Sequence, residues 1–179
     1  MEKLKIWADG GCDGNPGPMQ YLIYIESEPP KTYKKRIGNG TNNQAELHAM
    51  IKALEQIPVY ATLGYKLFEI CIDSEYVYYQ ILGMKKTRRN KALVNETKLL
   101  YTALKKEHRI AIHHVLREKN KAGVLLEKWK KKPYQRKCVN CGERFDWWYT
   151  IDPSEVNWAL CKPCYDKEVQ KIHERKEKT

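Results

Sequence analysis

The sequence predicts an α/β fold, a mixed five-stranded sheet flanked by helices, followed by a small cysteine-bearing module. Three observations carry this reading. Short apolar runs rich in Ile, Val and aromatic residues end at turn signals, as strands do. Longer segments space their apolar residues three and four apart, which is the helical period. The resulting order, βββαβααβα, mixes the two element types, and such mixing is satisfied when helices cover a sheet.

Each element can be justified in turn. Residues 4–9 and 21–26 read as strands, with a Gly/Pro/Asn-rich turn between them. Pro29 and Pro30 mark a bend, after which residues 33–37 complete a three-stranded meander. Ala45, Leu47, Ala49, Met50, Ala53, Leu54 and Ile57 make one helical stripe. Pro58 is expected to stop that helix, since proline has no N–H to donate and its ring clashes with the preceding turn. Residues 66–72 form a fourth strand, and Ser74 can cap a short helix ending near Gly83. Residues 93–106 read as an amphipathic helix, 109–115 as a fifth strand and 120–129 as a last helix. The basic stretch 131–137 contains Pro133 and reads as a linker. The expected domains are therefore 1–130, the linker 131–137, and a module spanning 138–179 with a carboxy-terminal helix.

With 179 residues and 42% apolar content, the chain can bury a real core. Its net charge of +11 favours an anionic partner, most commonly nucleic acid. No apolar run approaches the roughly 20 residues that span a bilayer, so no membrane role is expected. Met1-Glu2-Lys3 leads straight into a strand and shows no signal peptide, which points to the cytoplasm. Six cysteines fit a reducing compartment if most of them bind metal.

Three carboxylates stand out by their neighbours. Asp9 ends an apolar run before Gly10-Gly11, Glu46 follows Thr41-Asn42-Asn43-Gln44-Ala45, and Asp73 closes the run before Ser74-Glu75-Tyr76-Val77. Two acids at strand ends and one on a helix converge only by folding. Converged carboxylates repel, so they persist where a hard cation such as Mg²⁺ or Mn²⁺ neutralises them.

These motifs, with Asn15-Pro16-Gly17-Pro18, resemble type 1 ribonuclease H over roughly residues 1–130. The resemblance implies an RNase H-like sheet and hydrolysis of the RNA strand of an RNA–DNA hybrid, leaving a 5′-phosphate and a 3′-hydroxyl. It also implies two catalytic Mg²⁺ or Mn²⁺ ions, with Asp9 bridging both and Glu46 and Asp73 each holding one side. Gly10, Gly11, Asn42, Asn43 and Gln44 would contact the minor groove, where a 2′-hydroxyl distinguishes RNA from DNA, and Thr41 and Asn15 are weaker candidates for phosphate or turn contacts. The rival reading is a protein of this fold that binds hybrid without cutting it.

The chain departs from the family at one place. The family adds a fourth carboxylate, an Asp on the helix after the fifth strand, and here Gly123 stands at or beside that position. Glu127 lies one helical turn further along the same face and is the expected substitute, with Glu118 as the alternative. His113 and His114, at a strand end, read as structural residues. The basic segment 85–91 reads equally as a phosphate contact and as a solvated loop.

Cys138-Val139-Asn140-Cys141 and Cys161-Lys162-Pro163-Cys164 form a CxxC…CxxC set with 19 residues between the pairs. Four thiolates at this spacing predict one closed, structural Zn²⁺ site in a zinc-ribbon or treble-clef-like module. Residues 144–160 would form a hairpin, with a helix from Tyr165 onward. Trp147, Trp148, Tyr149 and Trp158 would form the small core or stack on bases. The module would assist nucleic-acid binding or engage a protein partner.

Overall fold

Strand β1 (Lys3–Cys12) is the middle of a five-stranded sheet ordered β3-β2-β1-β4-β5. β2 (Gly17–Ile25) pairs antiparallel with β1 and with β3 (Lys31–Gly40), completing the meander. β4 (Leu67–Ile72) pairs parallel with β1, and β5 (Arg109–His114) parallel with β4. The computed structural model describes residues 2–130, 135–138, 140–142, 144–146 and 164. Two compact units divide the chain, Met1–Trp129 and Lys130–Thr179.

Alternation along β1 sets the two faces of the sheet. Leu4, Ile6 and Ala8 enter the larger core, with the apolar stripes of α1 (Asn42–Thr62), α2 (Glu75–Ile81) and α3 (Lys91–Glu107). Trp7 faces the other way and meets Leu22, Cys71, and Ala122 and Leu126 of α4 (Lys121–Lys130). The sheet is thus covered on both faces, as the mixed element order requires. Among the described residues no helix is long and apolar enough to cross a membrane.

Two local expectations are corrected. Pro58 does not stop α1, which runs on to Thr62. Proline inside a helix costs about 3 kcal/mol. The last turn carries Tyr60, only 3% exposed, whose ring packs edge-on against Tyr65 and whose hydroxyl lies 3.4 Å from that of Ser27, and Pro58 itself faces solvent. Burial of Tyr60 outweighs the lost bond. Gly10, Gly11 and Cys12, expected in a turn, continue β1 by pairing with Tyr21, Gln20 and Met19.

The reason lies at Gly10. A Cβ placed there would fall 2.2 Å from the backbone carbon of Ala45 and 2.4 Å from the nitrogen of Glu46. The glycine lets the first turn of α1 lie directly on β1. That turn is fixed by a capping box: the Thr41 hydroxyl accepts from Gln44 N–H (3.4 Å), and the Gln44 side chain accepts from Thr41 N–H (2.8 Å).

In the second unit, Gln135–Lys137 form strand β6 and pair antiparallel with β7 (Arg144–Asp146). Three residues expected in the linker are therefore in a strand, and β7, at the start of the hairpin expected over 144–160, pairs with it. The rest of that hairpin, the aromatic residues 147–149 and 158, and the helix after Tyr165 lie outside the described residues.

Gly10→Ala should destabilise the first unit by about 3 kcal/mol, because the obstacle is backbone and cannot rotate away. Denaturant unfolding measures this; a loss under 1 kcal/mol would mean α1 does not rest on β1 as described.

Candidate active site

Asp9 lies near the end of β1, Asp73 just past the end of β4, and these strands are parallel neighbours, so their carboxyl ends deliver both acids to one edge of the sheet. Glu46 follows Ala45, the residue seated against Gly10, and arrives from the first turn of α1. Ligand oxygens of Asp9, Glu46 and Asp73 all lie within 4.8 Å of one another.

Neighbouring polar groups hold this cluster in place. Asn120 is fully buried, and its Nδ2 donates to Asp73 Oδ1 (2.8 Å) and to the Ala8 carbonyl (3.0 Å). Its Oδ1 accepts from Ala122 N–H (3.1 Å), so one side chain starts α4 and ties it to two strands. The ring Nε2–H of His114 donates to the Asp73 carbonyl (3.1 Å). Ser74 hydrogen-bonds the Glu46 carboxylate through its side chain, while its Oγ accepts from Val77 N–H (3.4 Å) as the cap of α2. The sequence marked Asn120 and Ser74 only as helix-starting residues. Their second role depends on contacts such as Asn120 to Ala8, 112 positions apart, which leave no local signature.

The electrostatics follow from the crowding. Burial pushes the Glu46 carboxyl well above the usual range; the charges of Asp9 and Asp73 push it further, and Ser74 and Arg117 oppose the rise. Three hard oxygen donors in a site that resists its own negative charge suit a hard divalent cation such as Mg²⁺ or Mn²⁺.

The other residues singled out by sequence fall around this centre. Asn42 Oδ1 accepts from Cys12 N–H (2.8 Å) and from its thiol (3.2 Å), and Asn15 Oδ1 accepts from Asn42 N–H (3.2 Å). Asn15 and Asn42 thus join the β1–β2 turn to the start of α1, beside Gly10 and Gly11. Asn43 is exposed at the same helix end. Thr41 and Gln44 are committed to the capping box.

Glu127 does not join the cluster. Its Oε1 accepts from Arg117 Nη2 at 3.2 Å, and the carboxylate group contains Asp9, Glu46 and Asp73 without it. One helical turn advances about 5.4 Å, so Glu127 lies a turn beyond Gly123, where Arg117 engages its carboxylate. Gly123 does sit beside them: a Cβ there would lie 3.3 Å from Asp9 Oδ2. Glu118 is exposed in the 3₁₀ turn Arg117–Lys119. His113 lies 3.9 Å from Glu69 on the sheet surface. In the basic segment 85–91, Thr87 donates to Gln80 (2.6 Å) and Tyr76 to the Arg89 carbonyl (3.1 Å), so this loop is tied to α2.

In the second unit, the thiols of Cys138, Cys141 and Cys164 lie within 4.8 Å of one another. Gly142 N–H donates to the Cys138 carbonyl (2.9 Å), closing the tight turn that brings the first pair together. Cys161 lies outside the described residues.

Comparison with known proteins gives one consistent result. The family model for RNase H matches residues 1–123. A ribonuclease H of Orientia tsutsugamushi (strain Boryong) is 36% identical over 124 residues, covering 63% of this chain and 70% of that protein. The chain spans about half the length of several other curated relatives it matches. The crystal structure of RNase H1 from the halophilic archaeon Halobacterium salinarum NRC-1 superposes with a TM-score of 0.59 at 28% identity, covering 73% of this chain and 100% of that one. LC11-RNase H1, solved in complex with an RNA/DNA hybrid, gives 0.56 at 31% identity, covering 66% and 88%.

Because the folded state holds the Glu46 proton more tightly than the unfolded chain does, stability falls as pH rises from the ordinary carboxylate range toward the raised folded value. In metal-free buffer, Glu46→Gln should therefore stabilise the chain by about 1 kcal/mol at pH 7 and by almost nothing at pH 4. Thermal melts at the two pH values test it. Equal shifts at both, or destabilisation at pH 7, would remove the charge-crowding account.

Proposed function

Starting from a chain that belongs to the ribonuclease H family, we propose that it hydrolyses the RNA strand of RNA–DNA hybrids with the help of two divalent cations. The observation that carries this reading is the carboxylate cluster formed by Asp9, Glu46 and Asp73 at the edge of the sheet. The hybrid bound to LC11-RNase H1 supports the choice of substrate.

Asp9, Glu46 and Asp73 would hold Mg²⁺ or Mn²⁺, which when bound supply positive charge to the phosphodiester and lower the pKa of water. The chain's own residues do the positioning. Asn120 fixes the orientation of Asp73, Ser74 that of Glu46, and Gly10 the distance between their elements. Gly10, Gly11, Asn15, Asn42 and Asn43 border the site where the RNA 2′-hydroxyls would be read, and the cap formed by Thr41 and Gln44 keeps that border rigid. Water adds to phosphorus, the bond to the 3′ oxygen breaks, and that oxygen takes a proton. The products carry a 5′-phosphate and a 3′-hydroxyl.

Gly123 gives a second reading its weight. A glycine beside Asp9 offers no carboxylate, and on this reading a chain short of one ligand binds hybrid without cutting it. The same assay decides. Incubation with a labelled hybrid and Mg²⁺ or Mn²⁺ should yield 5′-phosphorylated fragments, and Asp9→Asn should lower the rate by about a hundredfold or more. Hybrid that is bound but left intact in both metals would establish the second reading.

The second unit is a structural zinc module in this account. Cys138, Cys141 and Cys164 gather around one point, and Cys161 completes the CxxC pair to which Cys164 belongs. Four thiolates leave no open position for chemistry, and they suit the reducing cytoplasm. The module adds nucleic-acid or protein contacts to the nuclease. Purified chain should carry about one zinc per molecule, and Cys138→Ser should lose it. Metal analysis that finds no zinc in the unmodified chain would remove the module from this account.

A further inference from the structure

Arg117 opens the 3₁₀ turn between β5 and α4, and its side chain is 77% exposed. Its Nη2 donates to Glu127 Oε1 at 3.2 Å. Both residues flank, along the chain, side chains that touch the carboxylate cluster. Three residues after Arg117, Asn120 is bonded to Asp73, and one helical turn before Glu127, Gly123 abuts Asp9. The charge of Arg117 is felt by Glu46, whose carboxyl it draws back toward the ordinary range.

Stability does not account for this pair. With side chains 77% and 46% exposed, it is a surface ion pair, and such pairs contribute about 0–1 kcal/mol. Its chemistry is more telling. A guanidinium carries five donors in a planar fork matched to carboxylate and phosphate, and the contact with Glu127 engages one nitrogen. A cation at the edge of an acidic centre also offsets the repulsion that the carboxylates exert on an incoming polyanion.

We propose that Arg117 grips a backbone phosphate of the RNA strand beside the bond to be cut, and that Glu127 is the positioning residue that holds its guanidinium ready. The phosphate takes donors that the single contact with Glu127 leaves open, so the guanidinium stays held while it binds. This inference rests on the hybrid-cleaving reading above and assigns Glu127 a task other than metal ligation.

The test measures binding apart from cleavage. Fluorescence anisotropy of a labelled RNA–DNA hybrid, in buffer with EDTA and over a range of KCl, should show Arg117→Ala weakening affinity about tenfold. Its salt slope should be shallower by about one. Arg117→Lys keeps the charge and should keep the parent's slope, with affinity between the two. Glu127→Gln should weaken binding less than Arg117→Ala. The double variant should bind no worse than Arg117→Ala alone, since Glu127 acts through the arginine. At each Mn²⁺ concentration the rise in melting temperature should be the same for Glu127→Gln and the parent.

A parent that binds hybrid, with Arg117→Ala matching it in affinity and slope, overturns this inference and leaves the functional reading standing. A smaller Mn²⁺-induced rise in Glu127→Gln than in the parent would make Glu127 a metal ligand and overturn its positioning role. A parent that does not bind hybrid overturns both readings.

Discussion

Asp9, Glu46 and Asp73 would separate if free to do so, because each carries negative charge into the space of the other two. The architecture of the first unit keeps them together. β1 and β4 fix two of them as parallel neighbours, and the contact between Gly10 and Ala45 fixes the third. Asn120 then links α4 to Ala8 and Asp73. Every element around the site is therefore committed to a distance that unscreened charge disfavours. Such stored strain is typical of functional sites and is relieved by the ligand they are built for.

The departure at Gly123 shapes how the site works. A carboxylate there would crowd Asp9, whereas the glycine leaves room beside Asp9 Oδ2. Glu127, one turn on, is turned toward Arg117. The chain thus pairs a three-acid centre with a cation at its edge. Under the proposed roles, affinity for a polyanion and affinity for metal ions would be carried by different side chains, and substitutions would separate them.

Much of this was legible in the sequence, for a physical reason. Asp9, Glu46 and Asp73 each sit beside residues with their own local requirement: glycines for close approach, a Thr–Gln cap, a serine cap. Local requirements leave local patterns, and the mixed sheet followed from the order of apolar runs. What escaped was tertiary. Asn120 reads as an ordinary helix start until its amide is seen to reach Ala8 and Asp73. Glu127 has the right helical phase to approach the acids, but phase does not reveal the guanidinium that claims it. Pro58 breaks a helix by propensity, and burial of Tyr60 overrides it. The second unit shows both sides. Its CxxC spacing forecast a cluster that Cys138, Cys141 and Cys164 form, while the pairing of Gln135–Lys137 with Arg144–Asp146 across that turn was not written in any periodicity.

The central claim is that the acid cluster is a cation site maintained against its own charge. A Mn²⁺ titration of the melting temperature at neutral pH tests it most directly. A cation that binds only the folded chain stabilises it by RT ln(1 + [L]/Kd), so the melting temperature should climb steadily with concentration. The climb should be lost in Asp9→Asn. A melting temperature that does not respond to Mn²⁺, or one that rises equally in Asp9→Asn, would contradict the account.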